Sequence, residues 1–161
     1  YLPRYAKEIA DLGVDYVTVT VNALTSNTGA HIYSFVNDAG KKYVGQEAAE
    51  LLLNRQLEGL QLLGSYGVKV KINTVAIPGV NMEELPAIAR RMAVLGCKLH
   101  NILPMLPVEG TAFAHLSEPE AQEIAALREV CQQWMPQMRH CSRCRADAVG
   151  TLAAVCCGEE Q

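Results

Sequence analysis

Apolar residues that repeat every three to four positions predict four helices along the chain. The first covers 2–12, with Pro3 in its first turn, and the clearest covers 46–66. A third begins after a cap at Asn81 and ends at Gly96. The fourth follows a capping box at Ser117–Glu120 and ends at Pro136.

Three stretches rich in β-branched and other apolar residues predict strands, at 14–22, 68–77 and 99–106. From position 17 onward the first stretch alternates, so that valines occupy one face and small polar side chains occupy the other. The two sets are Val17, Val19 and Val21, and Thr18, Thr20 and Asn22. This pattern suits a barrel strand whose polar face points into the lumen, and a strand with one solvated face is the alternative.

The alternation of helices and strands predicts a parallel sheet joined by right-handed crossovers. Three strands cannot close an eight-stranded barrel, which takes about 250 residues, so we expect either a small open α/β sheet or part of a larger barrel. In both architectures binding sites gather where the strands end, here at 20–22, 77–79 and 101–105. Turn-forming residues fill 23–45, which predicts a long loop containing a solvated His31.

Length and composition indicate a single soluble globular domain. The chain has 161 residues, 19% of them charged, and a net charge of -3, which disfavours nucleic acid or an anionic membrane as partners. No apolar run approaches the roughly 20 residues of a membrane helix, and residues 1–5 do not have a signal-peptide pattern. We therefore expect a cytoplasmic protein, and the missing initiator Met suggests the middle of a longer chain.

Six cysteines crowd the C-terminal half, which favours a reducing compartment over a disulfide scaffold. Cys97 and Cys131 have apolar neighbours and are predicted to be buried thiols. Cys141 and Cys144 form a C-x-x-C pair surrounded by three arginines, at positions 139, 143 and 145. This spacing suits ligation of a metal ion or an iron–sulfur cluster, but a redox disulfide or an inert pair has the same spacing.

Several segments resemble the NifB family of radical S-adenosylmethionine (SAM) proteins, which mature the nitrogenase iron-molybdenum cofactor. The C-terminal signature is HCSRCRADAVG at 140–150. The preceding segments, in order, are VTVTVNA, IYSFV, LLLNRQLEGL, VKINTVAIPGVN and LHNILPMLPVEGTAF. The resemblance runs from about 2 to 150 and implies the C-terminal part of a partial TIM-like barrel with parallel strands.

The resemblance also implies chemistry and cofactors. It implies a lyase-like enzyme that uses SAM to fuse two [4Fe-4S] clusters and insert a carbide, with cluster donors and cofactor carrier or scaffold proteins as partners. Cys141 and Cys144 would ligate one precursor cluster, and Ile77 would contact the adenine of SAM. The remaining SAM contacts would come from strand ends, at Thr20, Asn22, Asn73 and Asn101, for which ordinary strand-end polarity is the alternative.

The chain departs from the family pattern in several places. It lacks the C-x-x-x-C-x-x-C motif of the SAM-cleaving cluster, and Val75 and Met82 stand where a fuller adenine motif has Gly and Glu. We therefore expect a C-terminal fragment that cannot cleave SAM alone. An incomplete barrel would occupy 1–137, and a cysteine loop and tail would occupy 138–161. A stand-alone metal or cluster carrier and a zinc-stabilised domain without chemistry are the competing functions.

Overall fold

The structure is a computed structural model and describes residues 1–139. The first half contains α1 (Leu2–Asp11), β1 (Tyr16–Thr20), α2 (Ser26–Ile32), β2 (Val36–Asp38), β3 (Lys41–Tyr43) and α3 (Gly45–Ser65). The second half contains β4 (Lys69–Ala76), a 3-10 turn (Met82–Glu84), α4 (Leu85–Val94), β5 (Leu99–Pro104) and α5 (Ala121–Gln132). None of the helices within these residues is long and apolar enough to cross a membrane.

The main sheet has three parallel strands in the order β1-β4-β5. This confirms the predicted α/β class and the predicted parallel pairing. The three strands form an open sheet, and no closed barrel is present in the part of the chain that the structure describes. β1 therefore lies at one edge of this sheet and β5 lies near the other.

The hydrophobic core lies on one face of the sheet, where the helices pack. Alternate strand residues, such as Val19, Ile72 and Ile102, contact apolar side chains of α1, α3, α4 and α5. The predicted stripe of α3 is confirmed at Leu60 and Leu63, which are both buried. Cys97 and Cys131 are also buried in this core as free thiols, as predicted.

The predicted loop at 23–45 is wrong, because the segment contains α2 and an antiparallel hairpin of β2 and β3. Thr25 caps α2 by accepting a hydrogen bond from the N–H of Thr28 at 3.1 Å. The hairpin turns through Ala39 and Gly40, both with positive φ (48° and 81°), which is the conformation of a tight two-residue hairpin turn. Turn-forming residues here start a short helix and a hairpin rather than a structureless loop.

The predicted start and end of α5 also need correction. The capping box joins Glu120 and Glu123 rather than Ser117 and Glu120, so the helix begins at Ala121. It ends at Gln132, four residues before Pro136. The side-chain carboxylate of Glu120 accepts the capping bond as well as a serine hydroxyl would, and sequence spacing alone does not separate the two positions.

Residues 136–138 run beside the outer edge of β5. The N–H of His100 donates to the carbonyl of Pro136 at 2.9 Å, and the N–H of Met138 donates to the carbonyl of His100 at 2.8 Å. This bridge is parallel, so the chain after α5 travels in the same direction as β5. It therefore leads toward the carboxyl ends of the strands.

Adding a methyl group at Gly29 should weaken the packing of α2 on α3. A Cβ at this position would lie 2.7 Å from the Cβ of Ala49, which is a short side chain on a helix backbone and cannot rotate away. The clash costs about 1–3 kcal/mol and exceeds the gain of up to about 1 kcal/mol from helix propensity, so Gly29→Ala should lower the free energy of unfolding by about 1 kcal/mol. Urea unfolding followed by circular dichroism measures the change.

Gly64→Ala is the matched control in α3, because its added Cβ would find only the carbonyl of Leu95 at 3.9 Å. Relief of backbone entropy should then raise the free energy of unfolding by about 0.5–1 kcal/mol. The two glycine substitutions are thus expected to have opposite signs. Equal effects would mean that α2 does not pack against α3 as described.

Candidate functional site

Three of the polar residues predicted at strand ends lie in one row across the sheet. Thr20 is the last residue of β1, but Asn73 and Asn101 lie inside β4 and β5 rather than at their ends. Thr20 of β1 pairs with Asn73 of β4, and Asn73 pairs with Asn101 of β5. Neighbouring strands are about 4.8 Å apart, so the row spans roughly 10 Å. Because side chains alternate along each strand, this row lies on the face opposite the helices.

The next row toward the amino ends adds a lysine to the same face. Thr18, Lys71 and Leu99 pair across the three strands, two positions before the row of Thr20. Lys71 is only 1% exposed and lies on the central strand. Sequence reasoning missed it, although its spacing of two from Asn73 within a predicted strand would have placed both on one face.

Asn101 carries a buried polar atom that the described protein does not satisfy. The residue is 4% exposed, and its Oδ1 has no hydrogen-bond partner among the described residues. Buried side-chain oxygens normally accept at least one hydrogen bond. A ligand with a donor on this face of the sheet would supply one.

The ends of β1 and β4 are joined by the side chains of Asn22 and Asn81. Oδ1 of Asn22 accepts from the N–H of Val75 at 2.9 Å. Nδ2 of Asn81 donates to the carbonyl of Asn22 at 2.9 Å and to that of Val75 at 2.8 Å. These bonds continue the β1–β4 pairing where the backbones separate. Asn22 thus lies just after β1, as predicted, but its amide oxygen is bonded to the backbone of β4 and is not available to a ligand.

Ile77 directly follows β4 and is held by the same asparagine. Its N–H donates to Oδ1 of Asn81 at 2.8 Å, and its side chain is buried. Asn81 was predicted to cap the following helix, and that prediction is wrong, because its side chain makes no capping bond to the 3-10 turn. All the hydrogen bonds of the Asn81 side chain go instead to backbone groups at the ends of β1 and β4. The partner at Asn22 is 59 positions away, so the local sequence does not reveal this role.

Glu84 ties the start of α2 to the segment after β4. Its carboxylate accepts from the hydroxyls of Thr28 at 2.7 Å and Thr25 at 2.9 Å, and from the N–H of Leu24 at 2.9 Å. Burial alone would raise the pKa of Glu84, but these hydrogen bonds outweigh burial and hold the pKa below its usual range. Met82 stands where a fuller adenine motif would have Glu, and the structure has a hydrogen-bonded carboxylate two positions later, at Glu84.

Gln56 and Tyr33 lie at the carboxyl end of β1. Nε2 of Gln56 donates to the carbonyl of Thr20 at 2.6 Å, on the outer edge of the strand. Burial raises the pKa of Tyr33, and the neighbouring Asn22 and Gln56 oppose that rise. His31, predicted to be a solvated loop residue, is exposed in α2, with Nδ1 2.8 Å from the carbonyl of Asn27.

His100 lies on the opposite, helix-covered face and is completely buried. Its Nε2 is 2.9 Å from Oγ1 of Thr74, whose hydroxyl donates to the carbonyl of Val21 at 2.7 Å. Since that hydroxyl proton is already committed, Nε2 must carry the imidazole proton. Burial lowers the pKa of His100 to about 4, so the ring is neutral at pH 7. It is a core histidine that connects β4 and β5 rather than a ligand of the polar face.

The predicted metal ligands Cys141 and Cys144 lie outside the described residues, as does His140. Within 1–139, no three His, Cys, Asp or Glu side chains gather closely enough to hold a metal ion. Burial raises the pKa of the Cys97 and Cys131 thiols to about 11, so both are protonated at neutral pH and are poor ligands.

Comparison with known proteins confirms the resemblance drawn from the sequence segments. No protein family model matches the chain. It is 44% identical over 155 residues to the FeMo cofactor biosynthesis protein NifB of Klebsiella pneumoniae, covering 94% of this chain and 33% of that protein. It is 41% identical over 151 residues to NifB of Chlorobaculum tepidum, covering 94% and 36%. FixZ of Rhizobium leguminosarum, also named a FeMo cofactor biosynthesis protein, is 39% identical over 155 residues, covering 94% and 33%. The chain spans about a third of the length of these relatives.

Proposed function

We propose that this chain, which resembles part of the FeMo cofactor biosynthesis protein NifB, acts in nitrogenase cofactor assembly as the C-terminal part of a radical SAM maturase. The whole protein would use SAM to fuse two [4Fe-4S] clusters and insert a carbide. Its partners would be the cluster donors and the cofactor carrier or scaffold proteins of the same assembly. The similarity to curated relatives over 94% of the chain supports the role.

The row of Thr20, Asn73 and Asn101 is the structural observation that carries this proposal. Three polar side chains from three strands share one face of a parallel sheet, and Thr20 is the last residue of its strand. Proteins of the α/β class bind ligands at the carboxyl ends of such strands. Asn101 leaves an acceptor on this face without a hydrogen-bond partner among the described residues. A solvated sheet face would not require a buried amide at this position.

The polar face fits SAM in its chemistry. Hydroxyl and amide groups at Thr20, Asn73 and Asn101 match the ribose hydroxyls, the ammonium and the adenine nitrogens, which need both donors and acceptors. SAM would supply the methyl group and the radical. Ile77 would contact the adenine with its apolar side chain, while Asn22 and Asn81 would position the strand ends that carry these groups.

The direction of the segment before the cysteines supports a location of the cluster ligands near the strands that are proposed to bind SAM. Residues 136–138 run parallel to β5 toward the carboxyl ends of the strands. Cys141 follows Arg139 by two positions, and two residues of chain span at most about 7 Å. The described chain thus ends, just before the cysteine pair in sequence, beside the outer edge of β5, the strand that also carries Asn101.

Replacing either cysteine of the pair should remove iron. We expect Cys141→Ser and Cys144→Ser each to lower iron and acid-labile sulfide by about four atoms per chain after anaerobic reconstitution, because a serine hydroxyl is a poor cluster ligand. Cys97→Ser and Cys131→Ser are matched controls. Their thiols are buried and protonated, and iron content should not change. Iron and sulfide assays on the purified variants measure the difference.

The same assays separate the competing functions. A zinc-stabilised domain would retain zinc and contain no labile sulfide. Cys141→Ser with unchanged iron and sulfide would refute the cluster site. In the whole maturase the same substitution should leave SAM cleavage intact and abolish the carbide-containing product, because the SAM-cleaving cluster uses other cysteines.

A further inference from the structure

Two side chains from the segment after β4 hold the segment after β1. Nδ2 of Asn81 donates to the carbonyl of Asn22 at 2.9 Å. Two residues further along, the N–H of Leu24 donates to the carboxylate of Glu84, also at 2.9 Å. The segments that leave β1 and β4 are therefore joined at two successive levels, beyond the last residues that the two strands pair through their backbones.

Glu84 brings the start of α2 into the same contact. Its Oε1 accepts from the hydroxyls of Thr25 at 2.9 Å and Thr28 at 2.7 Å, while its Oε2 accepts from the N–H of Leu24. The N–H of Thr28 in turn donates to Oγ1 of Thr25 at 3.1 Å. One carboxylate thus gathers three donors that lie 56 to 60 positions before it in the chain. These four residues are called the Glu84 cluster below.

The Glu84 cluster fixes the distance between two walls at the carboxyl ends of β1 and β4. Thr20 is the last residue of β1, four positions before Leu24. Ile77 directly follows β4, and its N–H is held by Asn81. A ligand that contacts both strand ends binds more tightly when their separation is fixed beforehand, because less conformational freedom is lost on binding.

We propose that Glu84 is a positioning residue for the adenosyl end of SAM. Both of its oxygens are bonded to protein donors, so it acts through the segments that it joins and not by touching the ligand. It holds the segment after β1 against the segment that begins at Ile77. This inference rests on the proposed function, which supplies SAM as the ligand and Ile77 as its adenine contact.

Substitutions at Glu84 separate the cluster from its charge. Glu84→Ala removes the cluster, whereas Glu84→Gln retains it, because a glutamine amide can accept from the N–H of Leu24 and donate to the hydroxyl of Thr28. Calorimetric titration of the folded chain should give Kd values for SAM and for 5'-deoxyadenosine that both rise about tenfold in Glu84→Ala and stay within about threefold of wild type in Glu84→Gln. Glu83→Ala is the matched control, because Glu83 is the exposed neighbour.

Thr28→Val is a milder variant, because it removes one hydroxyl and leaves the bond to Leu24 in place. It should raise both Kd values by about threefold. Hydrogen exchange at the N–H of Leu24, followed by NMR, reports whether the cluster has opened. Exchange should be faster than in wild type in Glu84→Ala and unchanged in Glu84→Gln and Glu83→Ala.

The outcomes distinguish this positioning role from the SAM site itself. Faster exchange at Leu24 with unchanged Kd values for both compounds would overturn the positioning role and leave the SAM site standing. A loss of affinity for SAM but not for 5'-deoxyadenosine would also overturn it, because the cluster would then not act on the adenosyl end. A wild-type chain that binds neither compound would refute the SAM site, and this inference with it.

Discussion

Asn81→Asp should lower the free energy of unfolding by about 4 kcal/mol and separate the ends of β1 and β4. The Nδ2 of Asn81 donates to two carbonyls, those of Asn22 and Val75, and the residue is 1% exposed. A carboxylate cannot donate to either carbonyl and would face both with negative charge. Loss of two hydrogen bonds at about 1 kcal/mol each, plus about 1 kcal/mol or more for each buried acceptor left unpaired, gives this magnitude.

Urea unfolding at pH 7 measures the loss, and Asn37→Asp is the matched control. Asn37 is exposed in the hairpin, so the same chemical change there should alter stability by less than about 0.5 kcal/mol. If both variants unfold at the same urea concentration, Asn81 does not join the strand ends. Asn81→Asp should also weaken SAM binding if Ile77 and Asn22 position ligand groups as proposed.

Acid should destabilise the protein through His100, by about 3 kcal/mol between pH 7.5 and pH 4. Burial lowers the pKa of His100 from 6.5 to about 4 in the folded state. A histidine with a depressed pKa is neutral in both states above about pH 6.5, so the full stability is present there. As the pH falls below 6.5, the unfolded state binds the proton first and stability is lost, until the folded state also binds it near pH 4.

The contribution of His100 is measured as the difference between wild type and His100→Gln, each unfolded with urea across this pH range. An uncharged glutamine can still donate to Oγ1 of Thr74, so its stability should fall less steeply below pH 6.5. His31→Gln, at an exposed position, should retain the wild-type slope. Parallel curves for wild type and His100→Gln would show that His100 is not buried as a neutral ring.

The sequence predicts the strands and the row across them because both depend on short periods. Alternation of two places Thr20, Asn73 and Asn101 on one face once the three strands are parallel, and the register then aligns them. The apolar stripe of α3 likewise follows from residues that are close together in the sequence. These features need no knowledge of distant contacts, and the structure agrees with them.

The segments that sequence reasoning missed depend on contacts between distant residues. α2 is only seven residues long and is stabilised by the carboxylate of Glu84, 56 positions after Thr28. Asn81 has the sequence pattern of a helix cap but bonds to strand ends instead. Arg128 looks like an ordinary helix residue until its bond to Ile102 is known. Local propensity cannot predict which of these roles a residue takes, because the partner that determines the role is distant in the sequence.

The hydrogen bond from Gln56 to Thr20 limits how the exposed side of β1 can be extended. A strand edge is a template for another chain only where consecutive carbonyls and N–H groups are vacant. Within residues 1–139 the outward backbone groups of Tyr16 and Thr18 are vacant, but the next carbonyl is taken. An added strand could therefore pair along about three residues and would stop before the level of Thr20. The hydrogen bond from Gln56 thus prevents an added strand from pairing with β1 at the level of the row formed by Thr20, Asn73 and Asn101.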